Sequence, residues 1–350
     1  MYEAFFDLKI RPFSAAPNPA EYFPAAGHED GLALLKCFVH DDDGVAVLSG
    51  SPGIGKTLTV QRLLAGLKPD RRAVFLAQTH HRTVAELLQA ILFELSLDYE
   101  TGGEGSLRLR LTRHVAQKFA GGERMILALD EAHNLTIEQL EELRLLGNLE
   151  SRGRKALQVV LVGQPKLLAT LERPECEALR QRVAVAAKLG PFESEEIGDY
   201  IHACFERAGG SADAVFTAAA IAEIGEQSAG VPRRINQLAH RALLLAFAHQ
   251  SGTVDAPFVE AAAEQLLMGR PPAFGSVAAS MEMEAEAPLS PVPSARPASP
   301  PAPSPSFPTS PAHVVEVGAD YPSVAAPDVH AAEPRADKDW PAKGRRLFAR

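Results

Sequence analysis

The sequence predicts an α/β protein: a parallel five-stranded sheet flanked by helices, then a small all-helical part, then a disordered tail. Three observations carry this. Short apolar runs of strand length alternate with longer segments of helical period, which is how a parallel sheet covered by helices reads. Strand signals stop at Gly190-Pro191, and every periodic segment beyond is helical. Finally, 16 of the 27 prolines fall in the last 80 of the 350 residues. The stretch Pro291 to Pro311, PVPSARPASPPAPSPSFPTSP, cannot bury enough apolar surface to offset the entropy of ordering. The expected divisions are 1–190, 191–270 and 271–350.

The elements follow in order. Val45 to Ser49 (VAVLS) reads as a buried strand, with a helix from Lys56. Ala73 to Gln78 gives a second strand, and helical patterns follow over Val84 to Leu95 and Leu107 to Phe119, the latter with Leu107, Leu111, Val115 and Phe119 four apart. Met125 to Leu129 is a third strand. Thr136 then opens a helix with Gln139 placed for a capping box, and Leu140 and Leu143 share its apolar face. Leu157 to Val162 and Val183 to Leu189 complete the strands. Helices are expected near 195–208, 216–228, 232–249 and 255–268, Pro232 serving as a first helical residue.

A net charge of −9 excludes the basic footprint of a protein permanently on nucleic acid. No run approaches the roughly 18 apolar residues that span a bilayer, the richest being Ala242 to Ala248, so neither a signal peptide nor a membrane anchor is expected. Cys37, Cys176 and Cys204 have no metal or redox spacing and read as reduced thiols of a cytoplasmic protein.

Gly50-Ser51-Pro52-Gly53-Ile54-Gly55-Lys56-Thr57 matches GxxxxGK[ST] between a strand and a helix, the context that motif requires. Glycines let consecutive N–H groups turn toward phosphate oxygens, and the helix N-terminus adds its positive dipole end. Lys56 is placed for the β and γ phosphates of ATP, Thr57 for Mg²⁺, and Leu58 continues the first turn of the binding segment. Asp130 and Glu131 end the third strand, where Asp130 can hold the magnesium through its waters and Glu131 can polarise the attacking water. His133 can be a proton-sensitive neighbour of this site, but with no metal-ligand partner nearby it reads first as an ordinary helix-entry residue. Gln164 ends the fourth strand, where a sheet meets its ligand crevice, and can orient water or sense the γ phosphate. Arg233 heads a helix and can reach back to the nucleotide, while Arg180 and Arg182 precede the fifth strand and can act on a neighbouring subunit.

Together these motifs resemble an AAA+ ATPase. Met1 to Leu8 (MYEAFFDL), Arg11-Pro12-Phe13-Ser14 and Pro17-Asn18-Pro19 narrow the likeness to the ExeA/GspA type of bacterial general secretion and related pilus biogenesis. Leu161 to Pro165, the Gln181-Arg182-Val183 step, Leu189 to Phe192 before Glu196 and Tyr200-Ile201, and Gly230 to Asn236 keep that order, so the resemblance covers residues 1–268. It implies an ASCE-type P-loop domain with a helical lid, sensor 1 at Gln164, sensor 2 at Arg233 and an arginine finger at Arg182. It also implies ATP-driven oligomerisation with sites at subunit interfaces. Secretion members continue into a membrane span and a peptidoglycan-binding part, whereas here the Pro/Ala/Ser tail follows the lid.

Two functions are expected from this. One is an ATPase that drives assembly of a secretion or pilus apparatus from the cytoplasm, at the inner membrane through a protein partner that the tail recruits. Trp340, Leu347 and Phe348, standing among Lys338, Lys343, Arg345, Arg346 and Arg350, are a candidate recognition element there. The other, less favoured at this net charge, is a DNA-associated ATPase of transposition type. Arg152, Arg154 and Lys155, or Arg110, Arg113, His114, Gln117 and Lys118 along one helix, would then track phosphates.

Overall fold

The computed structural model describes residues 2–14, 18–151 and 153–266. They lie in one compact unit of the chain, Met1–Met283. The tail and Arg152 fall outside the described residues.

Helix α1 (Ala26–His40) precedes β1 (Val45–Ser49), α2 (Lys56–Ala65), β2 (Arg71–Leu76), α3 (Val84–Glu94), α4 (Glu104–Ala120) and β3 (Arg124–Leu129). After α5 (Ile137–Leu146) come a small hairpin, β4 (Glu150–Ser151) and β5 (Arg154–Lys155), and then β6 (Leu157–Gly163). Two short helices, α6 (Lys166–Leu171) and α7 (Glu177–Arg180), lead to β7 (Val183–Lys188). The remainder is helical: α8 (Ser194–Ala208), α9 (Ala212–Val215), α10 (Ala218–Ser228), α11 (Pro232–Ala248) and α12 (Ala256–Gln265).

The large sheet is parallel with order β2-β3-β6-β1-β7, so β6 separates the strand leading to the glycine loop from the strand ending in Asp130. Strands β1 and β6 are buried along their whole length, as central strands covered on both faces must be. Period-two alternation sends Val47, Leu127, Val159 and Leu161 to one face, against α3, α4 and α5. It sends Leu48, Ala128, Val160 and Val162 to the other, against α1 and α2. Helix α1 is absent from the sequence-based expectation, yet its Leu32, Leu35, Phe38 and Val39 are what close that second face.

The helical part has its own core, made by Ile201, Phe205, Ile224, Leu238, Ala242 and Val259 among others. The N-terminal segment, grouped above with the sheet domain, is buried in this helical core instead. Tyr2, Phe6, Leu8 and Phe13 belong to it, and Phe13 meets Phe205 and Phe216 edge to face. The physical reason is area: a short aromatic segment with no partner of its own buries most by filling the apolar faces of α8 and α11. Among the described residues no helix is long and apolar enough to cross a membrane.

Candidate nucleotide site

The glycine loop leaves β1 at Gly50, whose N–H donates to the carbonyl of Gly163 at the end of β6 (3.2 Å). Gly53 and Gly55 take φ of +79° and +100°, the left-handed region where a side chain is strained. Gly55 is the residue before α2, so the turn it makes brings the loop N–H groups and the N-terminus of α2 to one place. From α1, the buried His28 places Nε2 2.7 Å from the carbonyl of Ile54. A carbonyl only accepts, so Nε2 carries the proton, and the ring holds the loop while its edge packs on Phe192 (5.2 Å).

Lys56 is buried, 6% exposed, and its ammonium donates to the carbonyls of Gly50 (2.9 Å) and Ser51 (3.0 Å). Burial pushes its pKa down, and the charges of Glu131 and Asp130 oppose that shift. A buried cation held by neutral carbonyls suits an anionic ligand. Thr57 donates its hydroxyl to Oδ2 of Asp130, which is 3% exposed and also accepts from the Glu131 amide through Oδ1 (2.8 Å). A hydroxyl and a carboxylate side by side are the hard oxygen donors that magnesium prefers, so these two residues fit that ion.

Glu131 adopts φ 52°, ψ 31°, a left-handed conformation that costs a non-glycine residue energy and that clusters at functional sites. Thr79, fully buried just past β2, braces the turn: its hydroxyl faces the carbonyls of Asp130 (3.0 Å) and Glu131 (2.7 Å). Sequence reasoning missed Thr79, and a polar residue following an edge strand was the signal for it. Gln164 stands where expected, after β6, and its amide points at Nδ1 of His133 (3.4 Å). His133 is therefore more than a helix-start residue, because the same nitrogen lies 3.4 Å from Oε2 of Glu131.

Arg233 comes to the loop from the helical part, its amide donating to the carbonyl of Gly53 (3.2 Å). A cleft of about 420 Å³ is lined by Pro52, Gly53, Gly55, Lys56, Thr57, Leu58 and Glu131 together with Arg233. Its other wall is Arg11, Phe13 and Ser14 of the N-terminal segment with Tyr200 and Asn236. Asn236 ties that wall together, accepting from the Tyr200 hydroxyl (2.8 Å) and donating to the carbonyl of Ser14 (3.2 Å). Burial keeps the Tyr200 phenol protonated and hence a donor.

Arg182 is not brought to this cleft. It is exposed, donates to Oδ1 of Asn148, and its carbonyl lies against Gly44, at the end of β1 opposite the glycine loop. Arg180 is exposed at the end of α7. Three of the basic groups considered for phosphate tracking are paired within the chain, Arg110 with Asp98, Lys118 with Glu123 and Lys155 with Glu150, whereas Arg154 shares Asp42 with Arg71 and Arg124.

Comparison with known proteins shows what the chain is similar to. A family model described as an AAA domain matches residues 39–171. General secretion pathway protein A of Aeromonas hydrophila is 36% identical over 252 residues, which are 72% of this chain and 46% of that protein. The chain thus spans about half the length of that relative. In fold, the chain is similar to Cdc6p from Pyrobaculum aerophilum, with TM-score 0.59, 18% identity and 72% of each chain covered. It is also similar to the ORC2 protein of Aeropyrum pernix in its ADPNP-ADP complexes, with TM-score 0.54, 16% identity, and 68% of this chain and 66% of that one covered. Residues 39–171 thus match an AAA domain, and over 72% of its length the chain is similar to General secretion pathway protein A.

Proposed function

We propose that this enzyme couples ATP hydrolysis to assembly of a secretion or pilus-type apparatus, acting as an oligomer through protein partners. The observation that carries the reading is the 36% identity with General secretion pathway protein A over 252 residues. The glycine loop and α2 bind the triphosphate, Lys56 meets its β and γ phosphates, and Arg233 contacts it from the helical part. Thr57 and Asp130 would hold Mg²⁺, which would supply neutralising charge to the phosphates. Glu131 takes a proton from the attacking water, and Gln164 orients that water from the end of β6.

Arg182 serves the neighbouring subunit. Its distance from its own cleft supports a role in trans, where a guanidinium meets transition-state charge. Such a protein works at the cytoplasmic face of the inner membrane, held there by its partner. The DNA-associated reading is weaker, because the net charge is −9 and Arg110, Lys118 and Lys155 are each paired with a carboxylate of the chain.

The test is a trio of variants. Lys56→Ala loses ATP binding, whereas Glu131→Gln binds ATP, accumulates oligomer and hydrolyses at least about a hundredfold more slowly. Mixing Arg182→Ala with Glu131→Gln subunits restores part of the activity that each lacks. Undiminished turnover by Glu131→Gln refutes the assigned base, and absence of complementation refutes the finger. Duplex DNA bound in an ATP- and salt-dependent way would favour the DNA-associated function instead.

A further inference from the structure

We propose that His133 is a positioning residue for hydrolysis: its Nδ1 is shared between the Glu131 carboxylate and the Gln164 amide, so one hydrogen-bond choice sets both. This rests on Glu131 being the base.

The geometry is a competition. Oε2 of Glu131 and the amide nitrogen of Gln164 both lie 3.4 Å from the same ring nitrogen. A carboxylate accepts and an amide N–H donates, so Nδ1 serves the first only when it carries a proton and the second only when it carries a lone pair. Both separations exceed the roughly 2.9 Å of a full bond, and a shift of a few tenths of an ångström completes one while breaking the other. With the proton on Nδ1, Glu131 is held against the ring and the Gln164 amide loses its acceptor. With the lone pair on Nδ1, the amide is satisfied, and the Glu131 carboxylate, 41% exposed, is released to the cleft that it lines with Lys56 and Thr57. The carboxylate that handles the water and the backbone from which Gln164 springs are thereby set together.

Three features hold the ring in this position. The left-handed backbone of Glu131 turns the chain so that residues 132–134 form a single 3-10 turn against the end of β6. Gly163 permits that approach: a Cβ there would stand 3.2 Å from the backbone nitrogen of His133 and 3.1 Å from Cδ2 of Leu167. The ring is 10% exposed, so water competes poorly for its nitrogen.

The full-length chain carries the test, with ATP binding, kcat and KM measured for His133→Phe, His133→Asn and Gly163→Ala beside Glu131→Gln. His133→Phe keeps a ring and removes its nitrogens. It should bind ATP as the parent does, with KM little changed and kcat lower by about tenfold or more, the scale of a misplaced reacting group. His133→Asn puts an amide near the place of Nδ1 and should recover most of that loss. Gly163→Ala moves the turn without touching ring chemistry and should also lower kcat selectively, which keeps the proposal testable if the phenylalanine variant does not fold. Parental kcat in His133→Phe with Glu131→Gln inactive overturns this proposal alone, as does a loss confined to ATP affinity. Normal turnover by Glu131→Gln overturns the assignment of the base instead.

Discussion

The amide of Arg233 donates to the carbonyl of Gly53 at 3.2 Å, so the first turn of α11 is hydrogen-bonded to the glycine loop itself. The contact is close as well as polar. A Cβ on Gly53 would stand 2.9 Å from Cβ of Arg233 and 3.3 Å from Cγ1 of Val231. Loop and helical part therefore report on each other through a position that tolerates no side chain.

Gly53→Ala tests that coupling. The left-handed backbone alone costs an alanine about 1 kcal/mol, and relieving the clash means moving α11 off the loop. ATP affinity should fall by at least about fivefold, the equivalent of that energy, as read by calorimetric titration. Gly27→Ala in α1, where a Cβ meets nothing within 4 Å, is the matched control and should bind ATP normally.

A second expectation concerns an ion pair between helices that the chain separates by 34 residues. Glu142 on α5 is 3% exposed, and its two carboxylate oxygens accept from Nε (2.7 Å) and Nη2 (2.6 Å) of Arg108 on α4. Arg108→Ala strands a buried carboxylate and should destabilise the fold by about 2 kcal/mol, less than a fully buried pair because the arginine is partly exposed. Adding Glu142→Leu should recover most of the loss, since the apolar replacement needs no partner. Urea unfolding of the two variants decides this, and equal midpoints would contradict it.

The third expectation is loss of stability in mild acid. Burial lowers the pKa of His81, His114 and His240 below the ordinary 6.5. At His240 the charge of Arg11 acts in the same direction and that of Glu3 against it. Nδ1 of His240 faces the Tyr2 hydroxyl (2.9 Å), and burial of that phenol raises its pKa to about 12, so it stays a donor to a neutral ring. A base with a depressed folded pKa favours the folded state fully above the unfolded value. That stability is lost as pH falls from about 6.5 toward the depressed values, where the unfolded chain takes up protons first. His202 has the opposite sign: its bond to Asp213 raises its pKa, so its contribution is present at low pH and lost as pH rises. Three groups oppose one, and the urea midpoint should fall between pH 7.5 and 5.5. His240→Asn, which cannot be charged, should flatten part of that fall; identical slopes would count against the assignment.

Much of the fold and part of the site were legible in the sequence. The strands β1, β3, β6 and β7 and the helices after Gly190 follow from apolar periodicity, and the glycine loop with its lysine and threonine follows from spacing alone. The capping box at Thr136 and Gln139 was equally local. Yet Gln139 does more than its motif says: buried, it also donates through Nε2 to the carbonyls of His81 and Thr83, fixing the loop that follows β2. No window of sequence contains that pairing.

What the sequence by itself determined is what is written in neighbouring residues: the order of the sheet strands along the chain, the glycine loop, the paired acids and the end of the strand-bearing part. Contiguous residues set backbone propensity and periodicity, and those act over a few turns. Tertiary structure alone decided that Tyr2, Phe6 and Phe13 fill the helical core, that α1 covers the second face of the sheet, and that His133 lies between Glu131 and Gln164. Each of these depends on which surfaces meet once the chain has closed. A meeting of that kind follows from apolar area, satisfied polar groups and the strained backbone of Glu131, quantities that only the packed chain possesses.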